Sequence, residues 1–220
     1  GYSHPWVTEF FMNGSAMTIA RWPNDEKTDA FVKVASVEGS DNSKPITIGY
    51  DDPTNRAQRW GADAVKNMYI KGGLATEYTI AFSRVSALNA EENKVTTKKS
   101  IEVPGTRWGK FYFMNILDEI DVPGEYFIDN ANKMLYFYPI SDDIENSELV
   151  VSQLEDAVIK GEGAAWITLK DIDFAYSKMT PVNVEGNHIT IDGCTISNIG
   201  ENAVTAVGTD ITVKNCNIFD

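Results

Sequence analysis

From Trp166 onward the chain repeats itself every 22 residues, with WITLKDIDF, HITIDGCTI and DITVKNCNI opening at Trp166, His188 and Asp210. Ile167, Ile189 and Ile211 fall on this step, as do Leu169, Ile191 and Val213. Two further columns are Ile172, Cys194, Cys216 and Phe174, Ile196, Ile218. A second strand repeats with them, VNVEG at 182–186 answering TAVG at 205–208. Apolar residues alternate within each phrase, which is the period of a strand and excludes a helical solenoid. Asp171, Gly193 and Asn215 break each phrase with turn-forming residues. Short strands, tight turns and a fixed period predict a parallel β-helix, its equivalent side chains stacked at roughly 4.8 Å per rung.

That geometry bears on the two cysteines, Cys194 and Cys216, which share one inward column on neighbouring coils. Their Cα atoms would be close enough for a disulfide, but side chains stacked in parallel seldom offer the required Cβ geometry. Free thiols are therefore expected, and two cysteines are too few for a disulfide framework or a zinc cluster.

The preceding part of the chain, 1–146, has a different grammar and is expected to be a separate domain from the coils of 147–220. It reads as antiparallel β structure with small helical turns. TEFFMNGSAMTIARW (8–22) carries a hairpin at Asn13-Gly14, whose residues tolerate positive φ. EYFIDNANKMLYFYP (125–139) carries a second, turning at Asn130 to Lys133, with Leu135, Phe137 and Ile140 alternating against Tyr136 and Tyr138. EYTIAFSRVSALN (77–89) reads as a further strand. A short helix is predicted in RWGADAVKNMYIKGG, stopped by Gly72-Gly73, or in MNILDEID. The fold class expected is all-β: an antiparallel β-rich insert followed by the first coils of a parallel β-helix.

A formal charge of −13, from 32 acidic against 19 basic residues, argues against a nucleic-acid or anionic-membrane partner. No apolar run is long enough to span a bilayer. The sequence opens on Gly1-Tyr2 and is expected to be a processed or excised piece.

MTIARWPN (17–24), DVPGEYFIDNANKMLYFYP (121–139) and the coils from Trp166 together resemble right-handed β-helix proteins of the pectate-lyase-like superfold. Within it the resemblance points to bacterial glycoside hydrolases of the family 120 and family 141 type. There, a β-rich insert interrupts the helix and the chain returns through a phrase like PGEYFID…LYFYP. The resemblance implies a secreted or cell-surface bacterial protein acting on a polysaccharide or oligosaccharide, with the remaining coils of the parent chain as its structural partner. It also implies that the catalytic carboxylates sit on later coils, beyond Asp220. The last rung, Ile211 to Ile218, is expected to be an open edge. A non-catalytic carbohydrate-binding module and a polysaccharide lyase are the alternative readings.

Within the coils, a glycosidase would need two carboxyl groups about 5 to 9.5 Å apart on one outward face. Asp173 and Glu185 are the catalytic candidates, although Asp173 stacks with Thr195 and Asn217 and no two acids share a column. Asp192, flanked by Lys170 and Lys214, reads as a surface ion ladder. His188 opens a strand and reads as exposed surface, and His4 lies far from it in sequence. Sugars stack their C–H faces on aromatic rings. ARWPN and NRAQRWGAD each set an arginine beside a tryptophan, so Arg21, Trp22, Arg59 and Trp60 are the binding candidates, with Tyr176 on the first coil. An acidic or neutral glycan would suit them. No cofactor or metal is expected. DDPTN (51–55) and SDDIEN (141–146) are the acidic loops where a structural calcium could sit, but neither has EF-hand spacing and solvated turns are the default.

Overall fold

The computed structural model describes residues 8–24, 30–39, 41–76, 78–102 and 104–219; His4 lies outside them. The protein is all-β and divides into two compact units, Thr18–Ile140 and a second that joins Gly1–Met17 to Ser141–Asp220. The segment 8–22 is thus shared between the two units, where sequence placed it wholly in the first domain. The reason is pairing: Glu9–Met12 forms its antiparallel ladder with Leu149–Ser152, from Glu9 opposite Ser152 to Met12 opposite Leu149. The Asn13-Gly14 hairpin is present, with φ of 52° and 78°, and sets Met12 opposite Ser15. Among the described residues no helix is long and apolar enough to cross a membrane.

The Thr18–Ile140 unit is built on a closed barrel of six strands. In order around it run Lys110–Met114, Val32–Glu38, Thr47–Tyr50, Lys94–Thr97, Ala81–Asn89 and Tyr69–Gly73, which pairs back onto Lys110–Met114. Every one of these neighbours is antiparallel. Closure removes the exposed sheet edges of an open meander. Alternation decides what fills it: Phe111 and Phe113 are fully buried while Lys110 is exposed and Tyr112 half-buried, and the two rings join Ile48, Ile70, Met68 and Val95 in the core. Closure also explains Gly72, where a Cβ would lie 2.1 Å from the Lys110 carbonyl oxygen.

The short helix predicted at 59–73 is reduced to 3₁₀ turns. Arg56–Arg59 and Ala64–Lys66 are single 3₁₀ turns, and Gly72-Gly73 end a strand rather than a helix. MNILDEID does contain a short turn, Leu117–Glu119. The second predicted hairpin forms between Glu125–Asp129 and Met134–Phe137, and Asp129 bonds the backbone N–H groups of Ala131 and Asn132 in its turn.

In the other unit, parallel ladders follow the 22-residue step from Ala164 onward, after a register shift from the 23-residue step of Ile159–Gly161. Ile159–Ala165 and Thr168–Lys170 pair with Val182–Asp192, which pairs with Val204–Lys214; Ile189 faces Ile211 and Ile191 faces Val213. In a separate sheet Asp173–Ser177, Thr195–Ile199 and Asn217–Phe219 align Phe174, Ile196 and Ile218. The turn positions read from sequence are left-handed: Asp171, Gly193 and Asn215 have φ of 53°, 68° and 56°. So are Trp166, His188 and Asp210, at 60°, 56° and 53°. The middle repeat is the most enclosed, with Ile189, Ile191 and Ile196 fully buried, whereas Ile218 is 53% exposed. Cys194 and Cys216 are free thiols, with their Sγ atoms 3.7 Å from the carbonyl oxygens of Leu169 and Ile191. The 22-residue step thus recurs in the thiol contacts.

Candidate functional site

The barrel unit carries a cleft of about 310 Å³ whose lining includes Trp22, Asn24, Phe31, Asp51, Arg56 and Asp121. Its position follows from strand pairing. Along one edge of Lys110–Met114, Lys33 and Val32 pair with Lys110 and Phe111. Further along the same strand, Trp22 and Arg21 pair with Phe113 and Met114. The cleft opens where the chain leaves Arg21–Trp22 and returns at Val32.

Trp22 is half-buried. Its ring lies 6.1 Å from Phe113 at 29° and 5.9 Å from Trp60 at 72°, so the core holds it while it lines the cleft. Trp60 is only 8% exposed and belongs to that support: its indole N–H donates to Glu119 Oε1. Glu119 is fully buried and also receives the Arg56 fork, Nε to Oε1 at 2.8 Å and Nη2 to Oε2 at 2.9 Å. Arg56 Nη2 reaches Asp121 Oδ2 at 2.9 Å as well, and Asn24 Nδ2 donates to Asp121 Oδ1 at 2.8 Å. The hydrogen bonds that Arg56 donates to Glu119 are the main reason that its pKa is pushed above its ordinary value. Beneath Asp121, Glu125 is buried and accepts the backbone N–H groups of Asp121 and Val122. Burial pushes its carboxyl above the ordinary range, against those two hydrogen bonds. Asp52 closes the loop on the cleft's other side, accepting from Thr54 N, Thr54 Oγ1 and Ala57 N.

The arrangement offers an aromatic surface, carboxylate and amide acceptors, and one oriented guanidinium. Those groups suit a polyhydroxylated ring, which needs stacking and many hydrogen-bond partners at once. No histidine or serine lines the cleft among the described residues.

The predicted binding residues are separated by this geometry. Successive residues of a strand point to opposite faces, so Arg21 leaves the cleft that Trp22 enters. Arg21 is 7% exposed, bonds the carbonyls of Pro23 and Ala30, and lies 3.6 Å over the Tyr112 ring. Likewise Arg59 is exposed while Trp60 is buried. Tyr176 belongs to the other unit, where its ring packs 4.9 Å from Phe11. The catalytic candidates also part: Asp173 lies in the sheet of Asp173–Ser177 and Glu185 in that of Val182–Asp192, both exposed. In the acidic loop at 141–146, Asp143 accepts both of its bonds from Asn146 Nδ2.

On the parallel strands, Asp192 sits between Lys170 and Lys214 as expected, and Asn215 Nδ2 bonds it at 2.8 Å. That bond is the leading reason its carboxyl is held below the ordinary range, with Lys214 adding to it. His188 is more engaged than a plain surface residue. Its ring stacks on Trp166 at 3.9 Å and 16°, and Nδ1 lies 3.0 Å from Asp210 Oδ2. Sequence reasoning missed Asn24, Asp51, Arg56, Glu119 and Asp121. The signal available for Asp121 and Glu119 was their place in DEIDVPGE, just before the returning hairpin.

No protein-family model matches the chain, and no curated protein matches it. A solved structure described as "Glycoside hydrolase" shares its fold, with a TM-score of 0.67 and 14% identity over 94% of this chain. The match covers 46% of that structure, so the chain spans just under half of its length.

Proposed function

We propose that the chain is the barrel-bearing part of an extracellular bacterial glycoside hydrolase built on a right-handed parallel β-helix. The parallel ladders of the second unit are then coils of that helix, and the barrel is its insert. The cleft beside Trp22 is a subsite for one sugar residue of a longer glycan. The carbohydrate-active reading is supported by the fold shared with the glycoside hydrolase structure across both units. The cleft supports a binding role, since Trp22 is presented on a rigid aromatic base beside hydrogen-bonding side chains. The hydrolytic carboxylate pair is assigned to coils outside these residues, in keeping with the separation of Asp173 and Glu185 onto different sheets.

The competing reading is a carbohydrate-binding module with no chemistry anywhere in the parent, and it is the cleft that favours it. A polysaccharide array probed with the 220-residue protein and with Trp22→Ala tests the subsite. Binding that falls at least tenfold in the variant, with folding intact by circular dichroism, is expected. Binding unaffected by Trp22→Ala refutes the subsite, and glycan hydrolysis by these residues alone refutes the assignment of catalysis elsewhere. Reducing-sugar release by the longer parent decides between hydrolase and module.

A further inference from the structure

We infer that the cleft beside Trp22 selects an uncharged sugar residue and rejects a uronic acid. The inference rests on reading the cleft as a sugar subsite, and it narrows the sequence-based expectation of an acidic or neutral glycan to one of the two.

The charge arrangement carries it. Arg56 is the one cation among the described lining residues, whereas Asp51 and Asp121 both line the cleft as acids. A uronate is best held by a guanidinium that presents two parallel N–H groups to its carboxylate. In this protein that fork is already filled: Glu119 takes Nε and Nη2 at 2.8 and 2.9 Å, and Asp121 takes Nη2 at 2.9 Å. Nη1 has no partner among the described residues and remains as a donor for a hydroxyl. Behind the lining stand two more buried carboxyl groups, Asp52 and Glu125, 4% and 2% exposed. An arriving carboxylate would meet the lining acids Asp51 and Asp121 and a cation already neutralised. A neutral hydroxyl meets the same acids as hydrogen-bond acceptors.

Like-charge repulsion at a partly exposed site of this kind weakens binding on the order of tenfold or more at low salt. The gap narrows as salt rises.

The test is calorimetric titration of the 220-residue protein with a neutral xylo-oligosaccharide, a neutral gluco-oligosaccharide and an oligogalacturonate of equal length. It is run at low and at high salt, with wild type, Asp51→Asn and Asp121→Asn. The expected result is that at least one neutral ligand binds about tenfold more tightly than the uronate. That ratio should shrink several-fold in each variant and with salt. Equal or preferential uronate binding overturns the inference while leaving the subsite standing. A ratio unmoved by both variants overturns it too, because the acids would then not be its cause. No binding by any ligand overturns the sugar-subsite reading itself.

Discussion

Glu119→Ala is the most informative single perturbation, because one buried carboxylate holds both the cleft's cation and the tryptophan under its aromatic wall. The side chain is 1% exposed and that of its partner Arg56 is 25% exposed. Removing Glu119 leaves the Trp60 N–H without its acceptor and strips two hydrogen bonds from a guanidinium that is mostly out of water. Breaking a fully buried ion pair from one side costs about 3–5 kcal/mol. Arg56 is a quarter exposed and keeps Asp121, so the expectation here is about 2–3 kcal/mol. For a unit of this size that corresponds to a fall in Tm of roughly 6–12 °C. Urea and thermal unfolding followed by tryptophan fluorescence read it directly. Glu119→Gln retains an acceptor for Trp60 and should lose about half as much. A double-mutant cycle with Arg56→Met isolates the pair, with a coupling of about 1–3 kcal/mol expected. A loss below about 1 kcal/mol for Glu119→Ala, or a coupling below about 0.5 kcal/mol, would refute the claim that this carboxylate organises the cleft.

Glu125 gives a pH signature of definite sign. Its folded-state pKa is raised by burial from an ordinary value of 4.5, so the folded state holds the proton more tightly. Its stabilising contribution is full below that ordinary value and is lost as pH rises through the folded-state value. Glu125→Gln keeps an acceptor for Asp121 N and Val122 N. It should remove this fall and leave the protein at least as stable as wild type at neutral pH; a variant with an unchanged pH slope in urea midpoints refutes the assignment. The thiols are checked by mass spectrometry. Without reductant, the denatured protein should take up two alkyl labels, and in the native state Cys216, which is half-buried, should label ahead of the buried Cys194. An unlabelled denatured protein would mean a disulfide and would contradict the stacked-thiol geometry.

The two units differ in how far their sequences disclose their structures. In the repeat from Trp166, each strand pairs with a copy of itself, so a position's partner is the residue 22 away, and register can be counted from Ile167, Ile189 and Ile211 alone. The left-handed turns could be read for the same reason, since Asp171, Gly193 and Asn215 are residues that tolerate positive φ. Trp166 and His188 adopt that conformation too, without any compositional hint, and stack on each other. The barrel has no repeat to count. Its closure depends on Tyr69–Gly73 finding Lys110–Met114, a pairing between strands far apart in sequence. Gly72-Gly73 read locally as a helix stop, yet the pressure on Gly72 comes from the Lys110 backbone.

The site was hidden by the same nonlocality, and adjacency in sequence pointed the wrong way. Arg beside Trp looks like a ready-made sugar clamp, but in a strand adjacent residues occupy opposite faces, and at a 3₁₀ terminus they diverge as well. Arg21 therefore stacks on Tyr112, and Arg59 turns to solvent while Trp60 goes inward. The arginine that does share a cleft with Trp22 is Arg56, brought there by a carboxylate 63 residues further on. This exchange of partners changes the chemistry that the cleft supports. Two free arginines would favour acidic glycans, whereas one arginine enclosed by Glu119 and Asp121 disfavours them. The charge character of this site was set by which carboxylates the fold delivers to its cation, and no window around either tryptophan contains them.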